Sequence, residues 1–300
     1  MKKDFLTLSD FSSKEIHSLL QRASELKSGK DKSAFPLIGK SIGIMFDKTS
    51  TRTRISFQTG IYQLGGQPIY INTKELQLGR GETIEDTAKT LSRYLHGIVI
   101  RTHAHSIVEI LSNNATIPVI NGLTDLHHPC QALADMLTII EKKGGLEDIQ
   151  IVYIGDGNNV ANSLIEAAEL MGMRLTIACP KGYEPDSKVY KKAIASNAKI
   201  KIVSDPETAA TNADVLYTDV WISMGQEREV ERRRQTFKKY QLNKGLLSLA
   251  KPDAIVMHCL PAHRGEEITA DVIDSPQSVI FDQAENRLHS QKALLEILIK

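Results

Sequence analysis

The stretch SIGIMFDKTSTRTRISFQTGIYQLGG, residues 41–66, decides the fold. Its first six residues form a short, nearly unbroken apolar run, which reads as a strand buried on both faces. RISFQTGIYQLGG, residues 54–66, carries apolar residues at helical spacing and closes on Gly65 and Gly66. Between strand and helix lies a polar loop holding two arginines, Arg52 and Arg54, among Ser50, Thr51 and Thr53. A buried strand that feeds a helix through such a loop is half of a parallel βαβ unit.

The alternation continues outward. Upstream, SSKEIHSLLQRASELKSG (12–29) is a helix with a Ser cap and a terminating Gly. Downstream, PIYIN (68–72), IVI (98–100) and PVIN (118–121) read as strands. TIEDTAKTLSRYLHG (83–97), SIVEILSNN (106–114) and PCQALADMLTIIEKKGG (129–145) read as helices, with Pro129 in a first turn that needs no N–H. The pattern restarts after Gly144 and Gly145. IQIVYIG (149–155), RLTIAC (174–179), DVLYTDV (214–220), AIVMHC (254–259) and SVIFD (278–282) are the expected strands, and ENRLHSQKALLEILI (285–299) is the last helix. The fold class is therefore α/β, with two doubly wound parallel-sheet domains joined near residues 142–149. Ligands in such folds bind at the carboxyl ends of strands, and the chemistry should be sought there.

Composition narrows the partners. The chain has 300 residues with 41% hydrophobic and 24% charged content, and its net charge is +1. Without a global basic field, neither nucleic acid nor an anionic membrane is an expected partner, and any strong anion binding must be local. Three scattered cysteines suit a reducing compartment. The first residues hold no apolar stretch of signal-peptide length, and no segment approaches ~18 uninterrupted apolar residues. The expectation is a soluble, cytoplasmic protein.

Several motifs fall beyond expected strand ends. STRTR (50–54) opens a helix, so free N–H groups, hydroxyls and a bidentate guanidinium meet where an anion would be favoured. GKS (39–41) is not a Walker motif, because position 34 is Ala and the triplet precedes a strand. HHPCQ (127–131) puts His128 and Gln131 three apart in a first helical turn, where a neutral His can donate to a carbonyl oxygen. VYIGDGNNVANS (152–163) has the start of a dinucleotide fingerprint, but Val160 replaces its third glycine and the next strand ends in TIACP without an acidic residue. Asn158 and Asn159 at that helix start are better suited to orienting a small polar substrate. Asp219 ends DVLYTDV, where a carboxylate suits an ammonium group and Ser223 adds a hydroxyl. His128, Cys130, His258, Cys259 and His263 hold zinc-ligand chemistry without C-x-x-C or H-x-x-x-H spacing, so no metal is expected. Arg52, Arg101, His128, Asn159, Asp219, Cys259 and Arg287 all sit past expected strands, which points to one site in a crevice between domains.

Together STRTR, LQLGRGE (76–82), HPCQ, GDGNN (155–159), DVWISMGQE (219–227), HCLPAHRGEE (258–267) and AENR (284–287) resemble the aspartate/ornithine carbamoyltransferase family, and within it the ornithine branch. STRTR with HPCQ carries the family resemblance; SMG with HCLP carries the branch. The resemblance implies a carbamoyl-phosphate domain over 1–145, completed by a C-terminal helix 284–300 that packs back on it, and an ornithine domain over 146–283. It implies no cofactor, and a homotrimer or an assembly of such trimers in which the loop bearing Gln77 reaches a neighbour's site. By the same resemblance, carbamoyl phosphate is held by Ser50, Thr51, Arg52, Thr53, Gln77, Arg101, the His128–Pro129–Cys130–Gln131 segment, Cys259, Leu260 and Arg287. Ornithine is held by Asn159, Asp219, Ser223 and Met224, and the catalytic set is Arg101, His128, Asp219 and Cys259. An aspartate-specific relative would carry Lys in the loop where this chain has Gln77. A non-catalytic phosphate binder would explain STRTR but not DVWISMG and HCLP together.

Overall fold

The computed structural model describes residues 2–29, 35–47, 50–73, 81–222 and 229–300. They form two compact units: residues 1–137 with 285–300, and residues 138–284. The division falls inside the helix Pro129–Lys143 rather than at the Gly144–Gly145 pair after it, and the chain returns to the first unit inside the helix Ile280–Leu298.

In the first unit the elements run α1 (Ser13–Ser28), β1 (Ser41–Phe46), α2 (Thr51–Gln63), β2 (Gln67–Asn72), α3 (Ile84–Leu91), β3 (Gly97–Arg101), α4 (His105–Asn114), β4 (Val119–Leu123) and the start of α5 (Pro129–Lys143). The boundaries follow local chemistry. Ser12 and Glu15 form a capping box at the start of α1, and Gly29 ends it with φ of 67°. All four strands are parallel in the order β2-β1-β3-β4. The order reverses between β1 and β3, which makes their shared carboxyl edge the switch point where α/β sheets bind ligands. At that edge the register slips, with Ile100 opposite Asn121 but Arg101 opposite Leu123. The irregularity re-aims the last residue of β3.

The second unit continues with β5 (Gln150–Ile154), α6 (Asn159–Met171), β6 (Arg174–Ala178), α7 (Ser187–Ala195), β7 (Ile200–Val203), α8 (Pro206–Ala210), β8 (Val215–Thr218), α9 (Val230–Phe237), α10 (Lys244–Leu249), β9 (Ile255–His258), α11 (Ala270–Ile273) and the start of α12 (Ile280–Leu298), which from residue 285 belongs to the first unit. Its parallel sheet has the order β7-β6-β5-β8-β9, with the switch point between β5 and β8. An apolar core including Val152, Leu216, Trp221, Phe237 and Val256 covers it.

The strand expected at SVIFD does not form. Ser278 makes one isolated bridge to Val256, and helix α12 has begun by Ile280. The fifth strand is Ile200–Val203, an edge strand whose run IKIV is buried only at its first residue. As the resemblance implied, the C-terminal helix packs on the first unit. A Cβ placed on Gly60 of α2 would meet Lys292 Cγ at 3.2 Å and Leu288 Cδ1 at 3.5 Å, and Arg22 of α1 pairs with Glu296 at 2.8 Å.

Candidate active site

The first unit gathers cationic donors at its switch point. Ser50 caps α2 by accepting from the Thr53 amide at 3.2 Å, which brings Thr53 one turn in, with its side chain buried. The Thr53 hydroxyl accepts from Arg101 at 3.3 Å and from Arg287 at 3.1 Å. A second nitrogen of Arg287 donates to Gln131 Oε1 at 2.6 Å, and Gln131 in turn donates to Asp135 at 2.8 Å. Two buried guanidiniums that converge on one hydroxyl repel each other, and an anion is their natural complement.

His128 stands in the same cluster. Its carbonyl accepts the first helical amides of α5, from Gln131 and Ala132. Burial first, then the charges of Arg287, Arg101 and Arg52, hold its ring well below the usual histidine range. The ring is therefore neutral at pH 7, a donor that brings no further positive charge. Arg54, the other arginine of STRTR, is turned away and lies over the Tyr70 ring at 3.8 Å from its centroid. The neighbouring Cys130 faces the core: its thiol donates to the Asn121 carbonyl at 3.3 Å, and burial pushes it up to about 12.

Arg287 corrects the expectation that it follows a strand. It lies on the eighth residue of α12, counted from Ile280, and joins the cluster because that helix packs on α2.

The second unit places a carboxylate and a thiol at the β5–β8 switch point. Asp219 follows β8 and Cys259 follows β9, and the Cys259 thiol donates to Asp219 Oδ1 at 2.8 Å. Asn158 caps α6 with Oδ1, which accepts from Val160 and Ala161 amides at 2.9 and 3.3 Å and from the Tyr153 hydroxyl at 3.2 Å. Its amide nitrogen donates to Asp219 Oδ2 at 2.7 Å. Burial, then the charges of Asp219 and Cys259, drive the Tyr153 phenol well above its ordinary range, so it stays a donor. Asn159, the first residue of α6, is partly buried beside this group. Leu260 has φ of 59°, and its amide donates to His258 Nδ1 at 2.8 Å.

The G-x-G at 155–157 serves the fold and not a nucleotide. Gly157 donates to Tyr183 O at 2.8 Å, and a Cβ there would fall 2.2 Å from Pro185 N. Chain occupies the approach a pyrophosphate would need. Beside it Asp156 pairs with the buried Arg233 at 2.9 Å, yet burial outweighs that cation and pushes the carboxyl up to about 6.

Expected residues Gln77, Ser223 and Met224 lie outside the described residues. No local pattern assigns a role to Asp135, Tyr153, Glu267 or Arg233, or to the hold of Asn158 on Asp219. Only the cap at Asn158 had a local signal. Asp219, His258 and Cys259 offer ligand atoms within 4.8 Å of one another. Each already serves a partner: Cys259 and Asp219 bond each other, and both His258 nitrogens are engaged. A cation would have to displace these bonds. No helix among the described residues is long and apolar enough to cross a membrane.

Comparison with known proteins supplies the relatives. The carbamoyl-P binding domain model of the aspartate/ornithine carbamoyltransferases matches residues 3–141, and their Asp/Orn binding domain model matches residues 147–298. An ornithine carbamoyltransferase of Syntrophus aciditrophicus is 56% identical over 302 aligned residues, covering 100% of each chain. One from Methanosphaera stadtmanae is 57% identical, covering 99% of each. The solved ornithine carbamoyltransferase of Pyrococcus furiosus is 52% identical with a TM-score of 0.95, over 99% of this chain and 97% of that one. With both domain models matched in order and relatives aligned from end to end, the chain belongs to the aspartate/ornithine carbamoyltransferase family.

Proposed function

We propose that the protein transfers the carbamoyl group of carbamoyl phosphate to the side-chain amine of L-ornithine, giving L-citrulline and phosphate. The observation that carries this reading is the convergence of Arg101 and Arg287 on Thr53, beside a His128 held neutral by the same cations. In this reading residues 1–145 with 284–300 bind carbamoyl phosphate, and residues 146–283 bind ornithine. Ser50, Thr51, Arg52, Thr53, Gln77, Gln131 and Arg287 grip the phosphate end. Arg101 and His128 stabilise the oxyanion as the amine attacks the carbamoyl carbon, a point where preorganised donors contribute most. Cys259 and Leu260 hold the carbamoyl amide. The C–O bond to phosphate then breaks, and the departing phosphate takes the proton the amine gives up.

The nucleophile must be the free amine. With a lysine-like pKa near ~10.4, neutralising it at pH 7 costs roughly 4 to 5 kcal/mol, which crowded guanidiniums and exclusion of water offset. Asn159, Asp219, Ser223 and Met224 orient the amino acid, and Asp219 with Cys259 relays its proton. From the resemblance we infer a cytoplasmic homotrimer working in arginine metabolism. The deciding assay offers ornithine, putrescine, N-acetylornithine and aspartate together with carbamoyl phosphate. Citrulline should dominate; a different carbamoylated product, or none, overturns the reading.

A further inference from the structure

His258 and Glu267 are both fully buried, and the chemistry above uses neither. Their bonds are specific. His258 Nδ1 accepts the Leu260 amide at 2.8 Å, so the ring proton sits on Nε2, which faces Glu267 Oε1 at 3.1 Å. The same carboxylate oxygen accepts the His263 amide at 2.5 Å. The main chain of His258 is pinned as well, because its amide donates to Gln283 Oε1 at 2.9 Å and Gln283 donates to the Tyr217 hydroxyl at 3.0 Å. Between these anchors the chain makes the turn that carries Cys259. Leu260 adopts φ of 59°, a conformation a branched side chain rarely takes unless its surroundings impose it.

We propose that His258 and Glu267 are positioning residues for the transfer reaction. Glu267 fixes the imidazole, and the imidazole holds the Leu260 amide in the left-handed turn that presents the Cys259 thiol to Asp219. Neither residue touches substrate. The inference rests on carbamoyl transfer as the function of this site, but its geometry can be read without that reaction.

Two substitutions at one position separate the two halves of the device. In His258→Asn the amide oxygen sits where Nδ1 was and can still accept from Leu260, but nothing reaches Glu267. In His258→Gln the amide nitrogen can reach Glu267, and the Leu260 amide loses its acceptor. Each variant loses one buried hydrogen bond, so a purely structural role would affect both alike. Both would be measured for kcat and KM with ornithine, for carbamoyl phosphate affinity by calorimetry, and for the rate of Cys259 alkylation by iodoacetamide. Cys130 and Cys179 are buried, so Cys259 is the thiol that reports. At matched folded fraction, His258→Gln should have kcat/KM for ornithine at least tenfold below His258→Asn. Its Cys259 alkylation rate should be altered at least threefold, and its carbamoyl phosphate affinity should fall below that of His258→Asn, because the Cys259–Leu260 turn it releases holds the carbamoyl amide. Equal kinetics and equal alkylation in the two variants, or the reverse order, overturn the proposal. A wild-type protein that makes no citrulline overturns the function instead, and the alkylation comparison still decides whether this pair sets the thiol.

Discussion

Asn158 tests the second-unit site most directly, because its two roles can be separated. Its Oδ1 caps α6, and its Nδ2 holds Asp219 Oδ2 at 2.7 Å. Serine keeps a cap acceptor, but its hydroxyl is too short to serve α6 and reach Asp219 at once. Together with the longer bond accepted from the Tyr153 hydroxyl at 3.2 Å, Asn158→Ser therefore removes one hydrogen bond to a buried carboxylate. Such a bond contributes about 1.5–3 kcal/mol. If the orientation it imposes on Asp219 is needed in the transition state, kcat/KM for ornithine should fall roughly 10- to 100-fold, since each ~1.4 kcal/mol is tenfold. Asn158→Ala loses the same bond and the cap, which adds about 1 kcal/mol of destabilisation. The two variants should share one kinetic deficit and differ in melting temperature. Carbamoyl phosphate affinity should change far less than kcat/KM in either, because the first-unit groups proposed to grip it are untouched and the Leu260 amide keeps its bond to His258. A serine variant within twofold of wild-type kcat/KM would falsify the claim that Asn158 orients Asp219.

Three further outcomes are expected. Thr53→Val takes an acceptor from both Arg101 and Arg287; at 3.3 and 3.1 Å each bond contributes about 1 kcal/mol, so carbamoyl phosphate affinity measured by calorimetry should weaken roughly 10- to 30-fold. Thr53→Ser should bind almost as wild type, and a valine variant with unchanged affinity would remove Thr53 from the cradle. His128 is held neutral in the fold while the unfolded chain takes a proton near 6.5, so its contribution to stability is full above that pH and lost as pH falls below it. His128→Gln should flatten the acid limb of the melting temperature against pH, and an unchanged limb refutes this. Asp156 has the opposite sign: pushed from 3.8 to about 6, it gives stability that is present below 3.8 and lost as pH rises through about 6. Asp156→Asn keeps an acceptor for Arg233, so urea unfolding from pH 4 to 7 should show it gaining on wild type across that window; a constant difference argues against the assignment.

What could be read from the sequence was set by short-range chemistry. Ser12, Gly29 and Pro129 mark helix ends through their own backbone preferences, and the apolar strands between helices dictate parallel sheets. Arg101, Asp219 and Cys259 followed, because strand ends at a switch point are where such sheets bind ligands. The misses are long-range. SVIFD has the composition of a strand, but helix α12 has begun by Ile280, and this hid how Arg287 arrives. The run IKIV alternates a charged residue with apolar ones at a half-exposed edge and did not register as a strand. Nothing local distinguishes Arg52, which acts on His128, from Arg54, which lies on Tyr70. The bond from Asn158 to Asp219 spans 61 positions and exists only because β5 and β8 are neighbours.

The two units pose opposite electrostatic problems, and the bonding in the second shows how the proposed site can set a carboxylate beside a nucleophilic amine. An unpaired carboxylate would hold an ammonium protonated, which opposes attack. Asp219 is not in that condition, since Asn158 donates to one of its oxygens and the Cys259 thiol to the other. Two committed donors weaken its pull on an approaching ammonium while leaving lone pairs free to orient a neutral amine. In the first unit the acceptors that Arg101 and Arg287 share, the Thr53 hydroxyl and the Gln131 amide, are neutral and do not cancel the charge proposed to meet phosphate. Replacing Gln131 with Glu would put a carboxylate against Arg287 and spend that charge inside the protein. On this reasoning Gln131→Glu should lose carbamoyl phosphate binding when compared by calorimetry at matched folded fraction, beyond the lower melting temperature expected because the new carboxylate also faces buried Asp135, to which Gln131 donates at 2.8 Å; unchanged binding refutes it.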